Sequence, residues 1–323
     1  MPQAPLLIVL TGPTAVGKTS VAIEVARHLQ CDIVSADSRQ FYRELSIGTA
    51  APTDDQLRAV KHHFVGQLSL EDPYDVSKYE AEVLDLLSVL FKKNPCVVLT
   101  GGSGLYLQAV YAGMDSLPDS DPRIRQQLRE QFENEGIASI RQLLRKLDPD
   151  YYSTVDLANP NRILRALEVC MGTGAPFSSF RKSNPVPRNF NTIKIGLDLP
   201  RAELHNRINA RVDQMIADGL VDEARHFYSL RHLNALNTVG YKELFDFFDG
   251  SISLEVAIEK IKTNTRRYAR RQLTWFRKDK EFIWCQPSVN EVIECIISLE
   301  ADGCRSDLLN EQRGNPETEG QAD

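Results

Sequence analysis

The stretch Leu6-Leu7-Ile8-Val9-Leu10-Thr11-Gly12-Pro13-Thr14-Ala15-Val16-Gly17-Lys18-Thr19 decides the fold of this chain. Its first five residues are apolar without alternation, the pattern of a strand buried on both faces. From Gly12 the next eight match G-x-x-x-x-G-K-T, the phosphate-binding loop or P-loop. Beyond it Val21, Ala22, Val25 and Leu29 recur at helical spacing. Strand, glycine-rich loop and helix in that order is the context this motif requires. Glycines let backbone N–H groups face an anion, and a helix N-terminus adds positive partial charge. Lys18 supplies a full charge, and the Thr19 hydroxyl suits Mg²⁺. Gly12, Pro13, Thr14, Ala15, Val16, Gly17, Lys18 and Thr19 therefore form a candidate cradle for a di- or triphosphate.

Two further segments point to the same place. Residues 31–37 read as a short strand ending at Asp37, and Cys96-Val97-Val98-Leu99 as a buried strand running into Thr100-Gly101-Gly102-Ser103-Gly104-Leu105-Tyr106. Ligands of open α/β sheets sit at the carboxyl ends of strands, so Asp37 and the glycine turn should converge on the cradle. Many NTPases hold Mg²⁺ with an Asp at such a strand end. Here that position is Thr100, which leaves Asp37 as a Mg²⁺ partner, a general base or a helix N-cap. Residues 53–64 read as a helix running into His62-His63-Phe64, and the histidine pair reads as structural because no matching ligands lie nearby. Val76 to Phe91 has Tyr79, Val83, Leu86, Leu87 and Leu90 at helical spacing.

The texture changes after Asp115. From Arg123 to Met171 the sequence is helical and heavily charged, with Leu128, Phe132, Ile140, Leu143, Leu144 and Leu147 as apolar anchors, between turn-rich flanks at 115–122 and 172–190. This block reads as a helical insertion. Strand character returns at Ile193–Leu199. The following helix carries Leu204, Ile208, Val212, Met215 and Ile216, with Arg207 and Arg211 on one face as candidate cations for a diphosphate. A long amphipathic helix spans Leu254 to Trp275, and residues 260–280 hold nine Lys/Arg and one acid. Arg266, Arg267, Arg270 and Arg271, with Tyr268 and Trp275, suit a nucleic-acid backbone with stacking partners. A short helix at 289–299 precedes an acidic tail.

The 323 residues are 42% hydrophobic and 25% charged, ordinary for a soluble globular protein. No apolar run approaches the ~20 residues of a membrane span, and the N-terminus lacks the charged region of a signal peptide. The six cysteines form no C-x-x-C and read as reduced thiols of a cytosolic protein. The net charge of −6 is concentrated at the end: residues 282–323 hold nine acids and two arginines, which leaves the rest at +1 and able to present a local basic face. The residues alone define an α/β fold, a P-loop NTPase-like parallel sheet flanked by helices, with a helical insertion domain. A small-molecule kinase and a different transferase both fit that description.

The ordered motifs narrow the choice. GPTAVGKT at Gly12–Thr19, SADSRQ at Ser35–Gln40, IGTA at Ile47–Ala50 and GGSGLY at Gly101–Tyr106 are followed by NRILRALE at Asn161–Glu168, Val239-Gly240-Tyr241 and RRQLTW at Arg270–Trp275. Together, over about residues 6–284, they resemble the tRNA dimethylallyltransferase family. The resemblance implies transfer of a dimethylallyl group from dimethylallyl diphosphate to N6 of adenosine 37 in tRNAs reading codons that begin with U. It implies Asp37 as base, with Lys18, Thr19, Mg²⁺ on Thr19 and Arg211 stabilising the leaving diphosphate. It implies tRNA contacts from Asp37, Ser38, Arg39 and Gln40; from Ser103, where the family commonly has Thr; from Arg125; from Asn161, Arg162, Ile163, Leu164 and Arg165; and from Thr238, Val239, Gly240, Tyr241 and Lys242. The expected organisation is a catalytic core of 1–112 and 191–300, an insertion of 113–190 binding the anticodon stem-loop, and a disordered acidic tail of 301–323. The expected protein is a cytoplasmic monomer without a membrane segment.

Overall fold

The computed structural model describes residues 4–115, 117–118, 121–181 and 186–299. The acidic tail and Cys304 lie outside the described residues. Strand β1 (Leu6–Thr11) is buried along its whole length. With β2 (Ile33–Ser35), β3 (His62–His63), β4 (Cys96–Gly101), β5 (Asn191–Leu197) and β6 (Ile283–Cys285) it forms one six-stranded sheet of order β3-β2-β4-β1-β5-β6. Every pairing is parallel. Thr11 lies opposite Gly101 on one side and Gly196 on the other, so three central strands end level.

The first half of the chain adds α1 (Lys18–His28), α2 (Asp54–Ala59), α3 (Val76–Leu90) and α4 (Gly104–Ala112). The middle adds α5 (Pro122–Glu135), α6 (Ile137–Leu147), α7 (Pro149–Thr154) and α8 (Pro160–Thr173). After the fifth strand come α9 (Arg201–Ala217), α10 (Leu220–His226), α11 (Tyr241–Phe248), α12 (Leu254–Phe276) and a helix over 289–299. Alternate residues of β1 face opposite layers, as the pleat requires. Leu6, Ile8 and Leu10 pack with Val21, Val25, Leu204, Ile208 and Val292. Leu7 and Val9 pack with Tyr79, Val83, Leu87, Leu107 and Phe276. A third core joins Val212, Leu220, Leu236, Tyr241, Leu244 and Ile261 beyond the sheet's carboxyl end.

The chain divides into two compact units, Ala112–Pro187 and the residues on either side of it. The smaller unit has its own core of Leu128, Ile140, Leu144, Ile163, Ala166 and Leu167. Two of its helices start the way their sequences dictate. Asp121 and Asn159 accept hydrogen bonds from Arg123 N and Arg162 N, each just ahead of a proline at the first helical position. Such caps contribute about 1 kcal/mol each.

The reading of 53–64 as one helix is corrected. The helix stops at Ala59, Val60 is extended, and His62-His63 becomes an edge strand beside β2. Side chains lock the change: His62 Nδ1 meets Val60 O and His63 Nε2 meets Asp32 Oδ2, each at 2.8 Å. The histidines are thus occupied structurally. Among the described residues no group of three or more His, Cys, Asp and Glu is placed to hold a metal ion, and no helix is long and apolar enough to cross a membrane. Cys31, Cys170, Cys285 and Cys295 are free thiols.

Candidate active site

The loop between β1 and α1 wraps its own lysine. Gly12 has φ 152°, and a Cβ there would lie 2.6 Å from Leu197 O, so the end of β5 permits only glycine. Lys18 Nζ donates to Gly12 O at 3.0 Å and Pro13 O at 2.9 Å. Burial pulls the Lys18 ammonium down to about 8, with Asp37 opposing the shift and Arg211 adding to it. Arg207 Nη1 donates to Val16 O at 3.2 Å, on the other side of the loop. One turn further along α9, the half-buried Arg211 has its pKa lowered by desolvation, against the pull of Asp37. The two arginines read from the sequence as a four-residue pair both line the loop's cavity.

Asp37 follows β2 directly and is held in a turn. Its Oδ1 accepts from Arg39 N at 3.2 Å, and its carbonyl accepts from Gln40 N at 3.0 Å. Ser103, at the start of α4, completes the turn: its Oγ accepts from Ser38 N at 3.0 Å and lies 3.1 Å from Ser38 Oγ. Gln40 Nε2 donates to Thr49 O and Ala50 O, both at 3.1 Å, so the SADSRQ and IGTA motifs are tied together. Ile47 N and Gly48 N are in turn held by Glu223 at 2.9 and 2.8 Å.

Sequence reasoning missed Gln272. It took α12 as a basic outer face, yet Gln272 points inward and is only 6% exposed. Its Oε1 accepts from Thr14 N at 2.8 Å, and its Nε2 donates to Gly102 O at 2.9 Å. One side chain thereby clamps the phosphate loop to the glycine turn. The signal was available: Ala269, Gln272 and Phe276 form the buried stripe of the helix, and a polar residue on such a stripe needs a partner.

Three cavities meet here. The first, about 380 Å³, is lined by Lys18, Thr19, Asp37, Arg207, Arg211 and Tyr268 among others. The second, about 100 Å³, is walled by Ile208, Val212, Met215, Leu220, Val239 and Ile261, and it shares Asp37, Arg211 and Tyr268 with the first. The third, about 440 Å³, is polar, with Ser38, Arg39, Asn237, Thr238, Lys242, Asn264 and Arg271, and again Tyr268. Asp37 stands between the cationic chamber and the apolar one. Tyr268 borders all three, and burial raises its hydroxyl pKa, with Asp37 adding to the shift.

The other site residues expected from the sequence separate into three groups. Thr238, Val239 and Gly240 line the second cavity, and Lys242 the third. Asn161 and Arg162 are exposed at the start of α8. Arg125 pairs with the buried Glu168 through Nε–Oε1 at 3.0 Å and Nη2–Oε2 at 3.2 Å, and Arg165 approaches the same carboxylate at 3.4 Å. Ile163, Leu164 and Tyr241, also expected from the resemblance to contact tRNA, have buried side chains. Ile163 and Leu164 fill the core of the smaller unit. Tyr241 is fully buried, with its hydroxyl donating to Glu223 at 2.6 Å. Helical periodicity explains all three: each falls on the inward face of its helix.

A six-stranded parallel sheet flanked by helices, with a P-loop motif after its first strand and two arginines lining the loop's cavity, defines an α/β protein of P-loop-like fold. The chain belongs to the IPP transferase family, whose model matches residues 40–279. It is 53% identical to the tRNA dimethylallyltransferase of Christiangramia forsetii over 278 residues, 86% of this chain and 92% of that protein. It is 51% identical to tRNA dimethylallyltransferase 2 of Azobacteroides pseudotrichonymphae, over 94% of this chain and 99% of that one. The crystal structure of full-length tRNA isopentenylpyrophosphate transferase from Bacillus halodurans superposes with a TM-score of 0.70 at 32% identity, covering 95% of this chain and 99% of that chain. A eukaryotic dimethylallyltransferase acting on tRNA shares the fold, with a TM-score of 0.76 at 22% identity over 99% of this chain and 82% of its own.

Proposed function

We propose that this protein transfers the dimethylallyl group of dimethylallyl diphosphate to N6 of adenosine 37 in tRNAs that read codons beginning with U. The observation that carries the reading is the position of Asp37, between a cationic chamber and an apolar one, with a polar mouth alongside. The diphosphate occupies the loop cavity, the prenyl group the apolar cavity, and the adenine arrives through the mouth.

The chemistry then follows from charge. The adenine amine is a weak nucleophile because its lone pair is delocalised into the ring. As the N6–C1 bond forms, Asp37 accepts the N6 proton, and the C1–O electron pair leaves with the diphosphate. The developing charge falls on the loop N–H groups, Lys18 and Arg211, each such donor typically worth ~3 kcal/mol in the barrier. The donor set also fits Mg²⁺. Thr19 offers a hydroxyl in the loop cavity that would hold the ion beside the diphosphate. Bound there, Mg²⁺ would supply further charge neutralisation for the leaving group. Extruding the base from the anticodon loop costs a few kcal/mol. Contacts from the basic face of α12 and from the smaller unit, where Arg162 is exposed, would offset it. The protein works as a monomer in the cytoplasm.

The test uses labelled dimethylallyl diphosphate, Mg²⁺ and unmodified tRNA carrying A36-A37-A38. Label on N6 of adenosine 37 is expected; its absence with active protein overturns the reading.

A further inference from the structure

Helix α9 carries a graded row of side chains. Arg207, Arg211 and Met215 are spaced four residues apart, so they stack along one face at intervals of about 6 Å. Arg207 touches the phosphate loop through Val16 O. Arg211 lines both the loop cavity and the apolar cavity. Met215 lines only the apolar one. Along this face the surroundings change from anion cradle to junction to hydrocarbon wall.

The apolar cavity is small. Its volume is about 100 Å³, and Val212, Met215, Leu220 and Ile261 are among its lining residues. All four belong to the packed third core or lie against it. A five-carbon chain attached to a diphosphate at the junction occupies about one helical turn, ~6 Å. A ten-carbon chain needs about twice that and would run into the Met215 thioether. Val212, Leu220 and Ile261 are buried in the core and cannot retreat, whereas Met215 is half-buried, unbranched and set at the edge. Of the four it is the side chain whose size can change at least cost to the fold.

We propose that Met215 is the residue that sets the length of prenyl donor accepted, acting as the stop at the end of a chamber sized for five carbons. The inference rests on the prenyl-transfer reading above. It assigns Met215 a role in selecting the donor and none in bond making.

The test compares dimethylallyl and geranyl diphosphate as donors to the same tRNA, in the wild-type protein and in Met215→Ala. One methylene in an apolar pocket changes selectivity by about 10- to 200-fold. The ratio of kcat/KM for geranyl over dimethylallyl diphosphate is therefore expected to rise by at least about tenfold in M215A. Met215→Phe, which shortens the chamber, is expected to raise the KM for dimethylallyl diphosphate while inhibition by inorganic diphosphate stays unchanged. Met215→Val, which keeps a larger side chain in place, carries the same comparison if M215A does not fold. A donor ratio within twofold of wild type in the folded variants overturns the proposal. Failure of the wild-type protein to transfer dimethylallyl at all overturns the parent reading, and the two outcomes are distinct.

Discussion

Asp37 and Lys18 face the same chamber with opposite demands on their surroundings. If Asp37 is the base, Asp37→Asn keeps its size and loses its proton affinity. Single-turnover transfer should fall by about 10²- to 10⁴-fold while donor binding changes little. A variant within a few-fold of wild type would remove Asp37 from that role. Lys18 makes a prediction with two signs. Its folded pKa of about 8 lies below the unfolded 10.5, so the ammonium is charged below pH 8 and neutral above it. The KM for the diphosphate donor should be flat below pH 8 and climb above it. Between pH 8 and 10.5 the unfolded chain binds more protons than the folded one, so stability without ligand should receive a rising contribution from Lys18 over the same range. Thermal melts of wild type and Lys18→Met across this window check the second sign, and steady-state kinetics the first. The places of both residues were legible in the sequence, Lys18 from the loop motif and Asp37 from the end of a strand, although the residues alone left the role of Asp37 open. Gln272 was hidden because it lies in a run of arginines whose composition speaks for solvent, and only the buried stripe of its helix reveals it.

At the scale of elements, α12 does two jobs on two faces. Its arginine-rich face is turned outward, and its inner face holds the phosphate loop to the glycine turn through Gln272. Gln272→Leu leaves the Thr14 N–H and the Gly102 carbonyl without that partner, at about 1–3 kcal/mol for each group left buried and unpaired. A melting temperature several degrees lower, together with a raised KM for the donor, is the expected outcome. An unchanged donor KM would show that the clamp stabilises without shaping the site. β1 could be read from its unbroken apolar run, and the long helices from periodicity, because eleven or more residues repeat one pattern. The two-residue β3 could not. Its residues carry no strand signal of their own, and the pairing with β2 is fixed by contacts to Val60 and Asp32 that only the fold supplies. Ile163, Leu164 and Tyr241 show the converse limit. A motif resemblance marks a segment, while the helical repeat decides which of its side chains face outward.

The whole molecule consists of one sheet-centred unit interrupted by a helical one. The two chain ends of the smaller unit lie side by side, with Val186 N donating to Ala112 O at 2.8 Å. Replacing residues 113–186 by a short Gly-Ser turn should therefore leave the sheet-centred unit folded and able to bind diphosphate, measured by calorimetry. Transfer to tRNA should fall by at least about a hundredfold, since the acceptor would no longer be positioned. Retention of full activity would show that the smaller unit is dispensable for tRNA.

The strand order has a consequence for synthesis. β1 is made first, yet its two neighbours are β4 and β5, and β5 begins at Asn191. At about 5–20 residues per second, a ribosome leaves one edge of the nascent β1 open for on the order of ten seconds after β4 emerges. In that interval α5 to α8, whose contacts are local, have time to assemble. A fragment of residues 1–190, released from the ribosome, should thus resist protease across the insertion while its half-built sheet is digested.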